Sequence, residues 1–399
     1  MTTTRPPQSV PAPFMPDLRY REAEEDLRGV VRELLADRCP PPAVLARIET
    51  SEPADAALWH SVAAELGCAG LLIPESHGGA GASYREAAVV AEETGRAIAP
   101  IPYLGSAVVA TAALLASGDE LLAGLASGEV TAVLAVEFAR MPPATGRGAA
   151  PPWGARIGAP QPGDSPGTAR LTGTVTGVAD ALIADVLLVP ADGVPFGLYA
   201  ADAGAPGLTR SPVVSLDPTR PLADLTLDGV LARRFVTGQE AAQAVAAALT
   251  AGAAMLASEQ LGVAQRCLEM TVAYLKERRQ FARPIGSFQA LKHRLADVWV
   301  TVTQARAAAR YAAACLADGN PDSPVAVALA KAACGDAAVH AAQECVQLHG
   351  GIGFTWEHPA HLFLKRAKSG SLAFGTPDRH RAVLATLAGL PPAPGGPGG

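Results

Sequence analysis

The chain changes texture twice, and that order of textures constrains the fold more than any single motif. From Leu18 to about Gly128, segments such as REAEEDLRGVVRELLADR, ALWHSVAAELG, YREAAVVAEETGR and LGSAVVATAALLA repeat apolar residues every three or four positions, as amphipathic helices do. Around Val130 the pattern gives way to short β-rich runs, TAVLAVEF, ARLTGTVTG, ADVLLVPA, FGLYAA and LADLTLDGV, cut by Pro, Gly and Asp. From about Gly238 helical spacing returns, in a run ending at ERRQF and in runs over 287–316, 324–348 and 359–372. The reading is an α+β multidomain chain: an all-α domain over 18–128, a β-barrel over 129–237, and a four-helix bundle over 238–388 that serves as the oligomer core. Residues 1–17 and 389–399 read as disordered tails, and the Pro-rich stretch 141–168 as a surface loop.

Composition removes several function classes. With 32 basic against 38 acidic side chains and a net charge of -6, the chain lacks the clustered cations that replace phosphate counterions, so no nucleic-acid partner is expected. Six cysteines without a CxxC pair suggest reduced thiols rather than a disulfide framework or zinc ribbon. The Pro-rich start lacks the apolar core of a signal peptide, and a cytoplasmic location is expected. Residues 97–118 and 241–258 carry no charge, but the first contains Pro100 and Pro102 and the second is mostly Ala, with Gln243, Thr250 and Ser258. Buried helices are expected there rather than membrane insertion.

Most motif-like strings lack the setting their chemistry needs. GDSPG at 163–167 matches a nucleophile elbow, yet it sits in a Pro-rich loop before a strand instead of between strand and helix. HGGAGAS and HGGIGFT carry glycines without the strand, helix and later acidic residue of a dinucleotide fold. His349, His358, His361 and His380 fit no tight ligand spacing, so no metal is expected.

Two stretches are specific: YLKERRQFARPIGSFQALKHRLADV, from Tyr274 to Val298, and VQLHGGIGFTWEHPAHLFLKRAKSGSLAFGT, from Val346 to Thr376. Arg278 and Arg279 end a long helix before a Gly/Pro break, where a guanidinium can fork onto a pyrophosphate. Gly350 and Gly351 follow a helix and leave room for a phosphate or ribose against backbone N–H groups. In the α–β–α order these stretches resemble the acyl-CoA dehydrogenase family, over the whole chain except its tails. The resemblance implies FAD as cofactor, an acyl-CoA substrate, α,β-dehydrogenation and electron transfer to an electron-transfer flavoprotein. It places Arg278, Gln280, Phe281, Gln289, Gln347, His349, Gly350 and Gly351 at the adenosine and pyrophosphate half of an FAD shared between subunits, and Gly375 and Thr376 beside the flavin.

The same resemblance exposes departures. Family members take the α-proton with a Glu directly before the Gly-Thr pair; here Phe374 stands there, and a phenyl ring accepts no proton. Some relatives carry that Glu on the long helix instead, at a position aligned with Gly252. In the β module, Gly177 and Ala179 occupy places where Trp and a hydroxyl residue are usual. These losses imply a degenerate subunit that completes the FAD site of a paralogous catalytic chain, of the kind that acts on bulky thioesters such as steroid side chains. Two alternatives stand beside it. One is a self-sufficient homo-oligomer with a displaced base, best Glu259, then Glu240, Glu137 or Asp180; the other is a flavin-free scaffold.

Overall fold

The computed structural model describes residues 15–50, 52, 54–144, 152–158 and 165–390. The expected tails therefore lie outside the described residues, apart from 15–17 and 389–390, and so do Gly163 and Asp164 of GDSPG. Among the described residues the N-terminal domain holds six α-helices, α1 (Glu22–Arg38), α2 (Pro41–Arg47), α3 (Ala56–His60), α4 (Tyr84–Ala97), α5 (Thr111–Leu115) and α6 (Leu121–Ser127), with π-helical turns over Ser61–Glu65 and Tyr103–Ala110. Ser83 caps α4 through a capping box with Glu86, which satisfies the first free N–H groups of the helix. Part-buried ion pairs join α1 to α4, with Glu24 on Arg85 and Glu93 on Arg32.

Among the described residues the middle domain is a seven-stranded mixed sheet: β1 (Ala132–Leu134), β2 (Ala155–Ile157), β3 (Thr168–Ala179), β4 (Val186–Asp192), β5 (Gly197–Asp202), β6 (Leu208–Val213) and β7 (Leu222–Thr237). Its order is β1-β4-β2-β3-β7-β5, β6 also pairs with β7, and an additional β4–β5 ladder links the last strand of the path to the second. Leu171, Val175, Leu187, Val189, Leu225 and Val230 form its separate apolar core. Strand β2 lies inside the stretch expected to be loop, so that expectation is corrected: three residues suffice there because β3 and β4 supply partners on both sides.

The C-terminal domain contains α7 (Gly238–Glu277), the small hairpin β8 (Arg279–Gln280) and β9 (Arg283–Pro284), α8 (Gln289–Ala317), α9 (Ser323–His349), α10 (Ala360–Leu372) and α11 (Pro377–Leu387). The four expected helices are all present, and α11 adds a fifth. The axis of the molecule is α7, which packs against α4, α8, α9 and α10. Its approach to α4 needs glycine twice: a Cβ on Gly95 would strike the Glu259 carbonyl, and one on Gly262 the Glu92 carbonyl. The charge-free 241–258 run is buried at most positions by these neighbours. By length and composition α7 and the span Ser323–Phe354 could each cross a membrane, yet 72% and 67% of their apolar windows are buried within the chain itself.

Candidate functional site

The residues singled out in the sequence fall into two groups. The first gathers where α7 ends and α9 ends. Arg278 is the C-cap of α7 and is exposed; its carbonyl accepts from Ile285 N–H at 2.8 Å, closing the hairpin base. Gln280 pairs with Arg283 across the hairpin. The two turn residues, Phe281 and Ala282, hold φ of 52° and 62°, the left-handed conformation that a two-residue hairpin turn demands and that glycine normally supplies. Non-glycine residues hold this backbone at a cost of about 1 kcal/mol or more each, which marks the tip as a place where strain is retained. The Phe281 ring is 86% exposed and meets the edge of Phe288, whose face carries the Arg283 guanidinium at 4.0 Å. Gln289, the first residue of α8, is exposed beside it.

The loop after α9 joins this group through a ring stack. His349 is the last residue of α9, buried, and stacks on Tyr274 at 4.4 Å, one turn before Arg278. The His358 ring lies tilted against it, 4.5 Å between centroids. Burial opposes the charged form of His349, but hydrogen bonds to Cys345 outweigh it and raise the pKa above the usual value. Gln347, Gly350 and Gly351 are exposed; Gly350 has φ of 65°, and a side chain on Gly351 would meet nothing. Arg278, Gln280 and Gln347 thus offer donors around an open backbone surface, a suitable cradle for a pyrophosphate and ribose. The aromatic rings of Phe281, Phe354 and Trp356 stand uncovered in the hairpin and the loop after α9, at 86%, 75% and 68% exposure.

The second group surrounds Phe374 and is closed. Phe374, φ 51°, donates its N–H to Phe138 O and accepts from His380 Nε2 at 2.8 Å on its own carbonyl. Its ring packs edge-on against Phe138, 5.4 Å between centroids, and is 3% exposed. A Cβ on Gly252 would lie 2.7 Å from the Phe374 ring and 2.9 Å from Val109. The two positions at which the resemblance leads one to expect a Glu therefore face each other, one as a bulky ring and the other as the glycine that makes room for it. Leu104, Val109, Val136, Phe138, Asp180 and Phe374 leave about 20 Å³ between them, space for about one water molecule. Gly375 is crowded by Met141 and His380, and the Thr376 hydroxyl caps α11.

Beside this plug lies a buried ionic cluster whose members are scattered along the chain. Glu259, on α7, accepts from Arg220 Nη2 at 2.6 Å with one oxygen and from Arg366 Nε at 2.8 Å with the other. Arg366, on α10, also reaches Thr219 and Asp217 in the turn before β7. Burial works against ionisation of Glu259, yet the two guanidinium groups outweigh it and hold the carboxyl below its usual range. A displaced base at Glu259 thus meets a carboxylate whose two oxygens are already engaged, seven residues along α7 from Gly252. Asp180, φ 60°, lines the plug; burial pushes its pKa up to about 6 despite Arg220 and Arg366. Glu137 and Glu240 are exposed. The only local cue to the cluster was Arg366 on the apolar face of HLFLKRAK.

The three-part architecture and these two groups define the class of protein. Residues 242–388 match the C-terminal domain of acyl-CoA dehydrogenases and residues 21–129 the N-terminal domain, and the chain belongs to this family of FAD-dependent oxidoreductases. Within it, the chain is 35% identical over 374 residues to the acyl-CoA dehydrogenase IpdE2 of Mycobacterium tuberculosis, covering 92% of this chain and 96% of that relative. Among solved structures it is similar to a Tcur3481-Tcur3483 steroid ACAD variant, with a TM-score of 0.79 and 31% identity over 92% of this chain and 98% of that one. The ChsE4-ChsE5 complex from Mycobacterium tuberculosis matches with a TM-score of 0.81 and 29% identity, over 94% of this chain and 100% of the other.

Proposed function

We propose that this chain is the non-catalytic subunit of a hetero-oligomeric acyl-CoA dehydrogenase, completing the FAD site of a paralogous catalytic chain. The observation that carries the reading is the contrast between the two residue groups: an open, donor-rich adenosine half-site and a base position plugged by Phe374 against Gly252. Arg278, Gln280, Phe281, Gln289, Gln347, Gly350 and Gly351 fit the pyrophosphate and ribose of FAD, with His349 held behind them. The space beside Phe374 does not fit a thioester or a flavin ring, and no step of dehydrogenation runs through it. When bound, FAD supplies hydride acceptance in the partner's site; this chain's part is to grip and orient the nucleotide half.

The partner chain binds the acyl-CoA, supplies the Glu and passes electrons to an electron-transfer flavoprotein. The steroid ACAD Tcur3481-Tcur3483 among the similar structures favours a bulky thioester as substrate, and the ChsE4-ChsE5 complex favours a two-chain assembly. Uncovered Phe281, Phe354 and Trp356 are the face offered to the partner. Buried apolar helices and six free thiols support a cytoplasmic protein without membrane insertion.

The test is flavin content and oligomer mass. Expressed alone, the chain purifies colourless; co-expressed with a paralogue carrying the Glu, it purifies as a yellow complex. Arg278→Ala in that complex lowers FAD affinity about 10–100-fold, the worth of charge-assisted hydrogen bonds of about 1.5–3 kcal/mol, with the mass of the protein assembly unchanged. A yellow homo-oligomer with full dehydrogenase activity overturns the proposal, and a colourless, fully assembled complex leaves a scaffold in its place.

A further inference from the structure

A cleft of about 270 Å³ opens where α1 and α4 end against α7 and α10. It lies away from the plug: Arg266, the α7 residue on its wall, comes 14 residues after Gly252, about 21 Å along the helix axis at about 1.5 Å per residue. Leu35, Cys39, Pro40, Ala97 and Phe363 supply its apolar wall. Burial pushes the Cys39 thiol up to about 12, so that sulfur is a neutral part of the wall.

Three guanidinium groups line the cleft, and two of them are already matched. Arg32 gives Glu93 two hydrogen bonds, at 2.6 and 2.9 Å, and Arg96 gives Glu269 two more. Glu93 has no charge to spare for a third group, because Arg28 Nε also lies 3.5 Å from it. The last carbonyls of α1 and α4 bring partial negative charge to this end of the helices, and Arg38 and Arg96 in those last turns meet it. Arg266 is different. It is half-buried and has neither an ion-pair nor a hydrogen-bond partner among the described residues.

An unmatched guanidinium beside an apolar wall asks for two things of a ligand. The planar fork takes both oxygens of a carboxylate, and the wall rewards a hydrocarbon tail withdrawn from water. A phosphate dianion needs a second free cation, and Arg32 and Arg96 are occupied. The volume limits size, since it falls just below the range of about 300–1,000 Å³ for small-molecule sites. A whole CoA thioester does not fit, whereas a short alkyl tail does. We propose that this cleft binds a medium-chain monocarboxylate, with its head forked on Arg266 and its tail along Leu35, Pro40 and Phe363. The site is complete within one chain and does not depend on which assembly that chain forms.

The experiment titrates octanoate into the purified full chain, in whichever assembly it forms, by isothermal calorimetry, with octan-1-ol, butyrate and inorganic phosphate as comparison probes. The expected result is saturable binding whose Arg266-dependent part amounts to one octanoate per chain. Butyrate lacks the tail and octan-1-ol the charge, so each binds about tenfold or more weakly, and phosphate gives no heat. Arg266→Gln weakens octanoate about 10–100-fold, the worth of a charge-assisted hydrogen bond. Ala36→Trp, which fills the exposed mouth of the cleft, abolishes binding with Arg266 intact; should that variant not fold, Arg266→Gln carries the test alone. Both leave FAD content as in wild type. Failure of octanoate to bind overturns the proposal, and so does an affinity that Arg266→Gln leaves unchanged. Octan-1-ol binding as tightly as octanoate overturns it as well, because the guanidinium then recognises nothing, and equal binding of phosphate does so by making the cleft a bare anion site.

Discussion

Replacing Glu259 by Gln separates two roles that the sequence left open. In the structure this carboxylate neutralises Arg220 and Arg366, both nearly inaccessible, and ties the turn before β7 to α7 and α10. Gln keeps the shape but removes the charge, so two buried guanidinium groups lose their counterion. Breaking a buried pair in this way costs about 3–5 kcal/mol, and the retained amide oxygen places Glu259→Gln near the lower end. At about 2–4 °C per kcal/mol for a domain of 150–250 residues, the melting temperature falls by roughly 6–12 °C at pH 7. The sign with pH follows from the lowered pKa of Glu259: its contribution is present above about pH 4.5 and is lost as pH falls, so the wild-type advantage shrinks in acid. Thermal unfolding monitored by circular dichroism from pH 2 to 8 measures this directly. A melting temperature within 1 °C of wild type, together with loss of dehydrogenase activity in the yellow assembly, would refute the reasoning and restore Glu259 as a base.

Three further outcomes are expected. Asp180→Asn stabilises the chain above pH 6, because burial raises the Asp180 pKa from 3.8 to about 6, a penalty on its ionised form of about 3 kcal/mol; the gain vanishes toward pH 3.8, and a pH-independent difference in melting temperature would contradict it. Lys331, inaccessible and bonded to Gly370 O at 3.0 Å, is lowered by burial to about 8. Lys331→Met therefore raises stability by about 3 kcal/mol below pH 8, with the gain shrinking as pH climbs toward 10.5, read from urea midpoints. Phe374→Ala opens a cavity beside Gly252 and costs about 3–5 kcal/mol; an unchanged denaturation midpoint would show that the plug carries no packing energy.

The parts of the fold that were legible are those whose cause is local. A charge-free Ala-rich stretch flanked by helical periodicity can be read as one long helix, and α7 spans Gly238–Glu277 accordingly. Strand β6 was not read because Arg210 and Pro212 interrupt its apolar pattern; as an edge strand paired only with β7, it tolerates both. The adenosine group lay in two contiguous strings, and the structure joins them through Tyr274 and His349. The plug and the ionic cluster were illegible because their members are distant in sequence. Nothing near Gly252 announces that Phe374 fills its missing side chain, and nothing near Glu259 announces Arg220. Phe281 and Ala282 in a left-handed turn were also unreadable, since composition alone calls for Gly or Asn there.

The uncovered rings of Phe281, Phe354 and Trp356 carry a consequence for the cell as well as for assembly. Aromatic surface left in water is what chaperones and proteases recognise, so under the proposed two-chain assembly an unpaired copy turns over faster than a paired one however stable its core. The amount of this chain would then follow the supply of the chain that covers those rings, and the stoichiometry of the pair would be trimmed by degradation of the surplus.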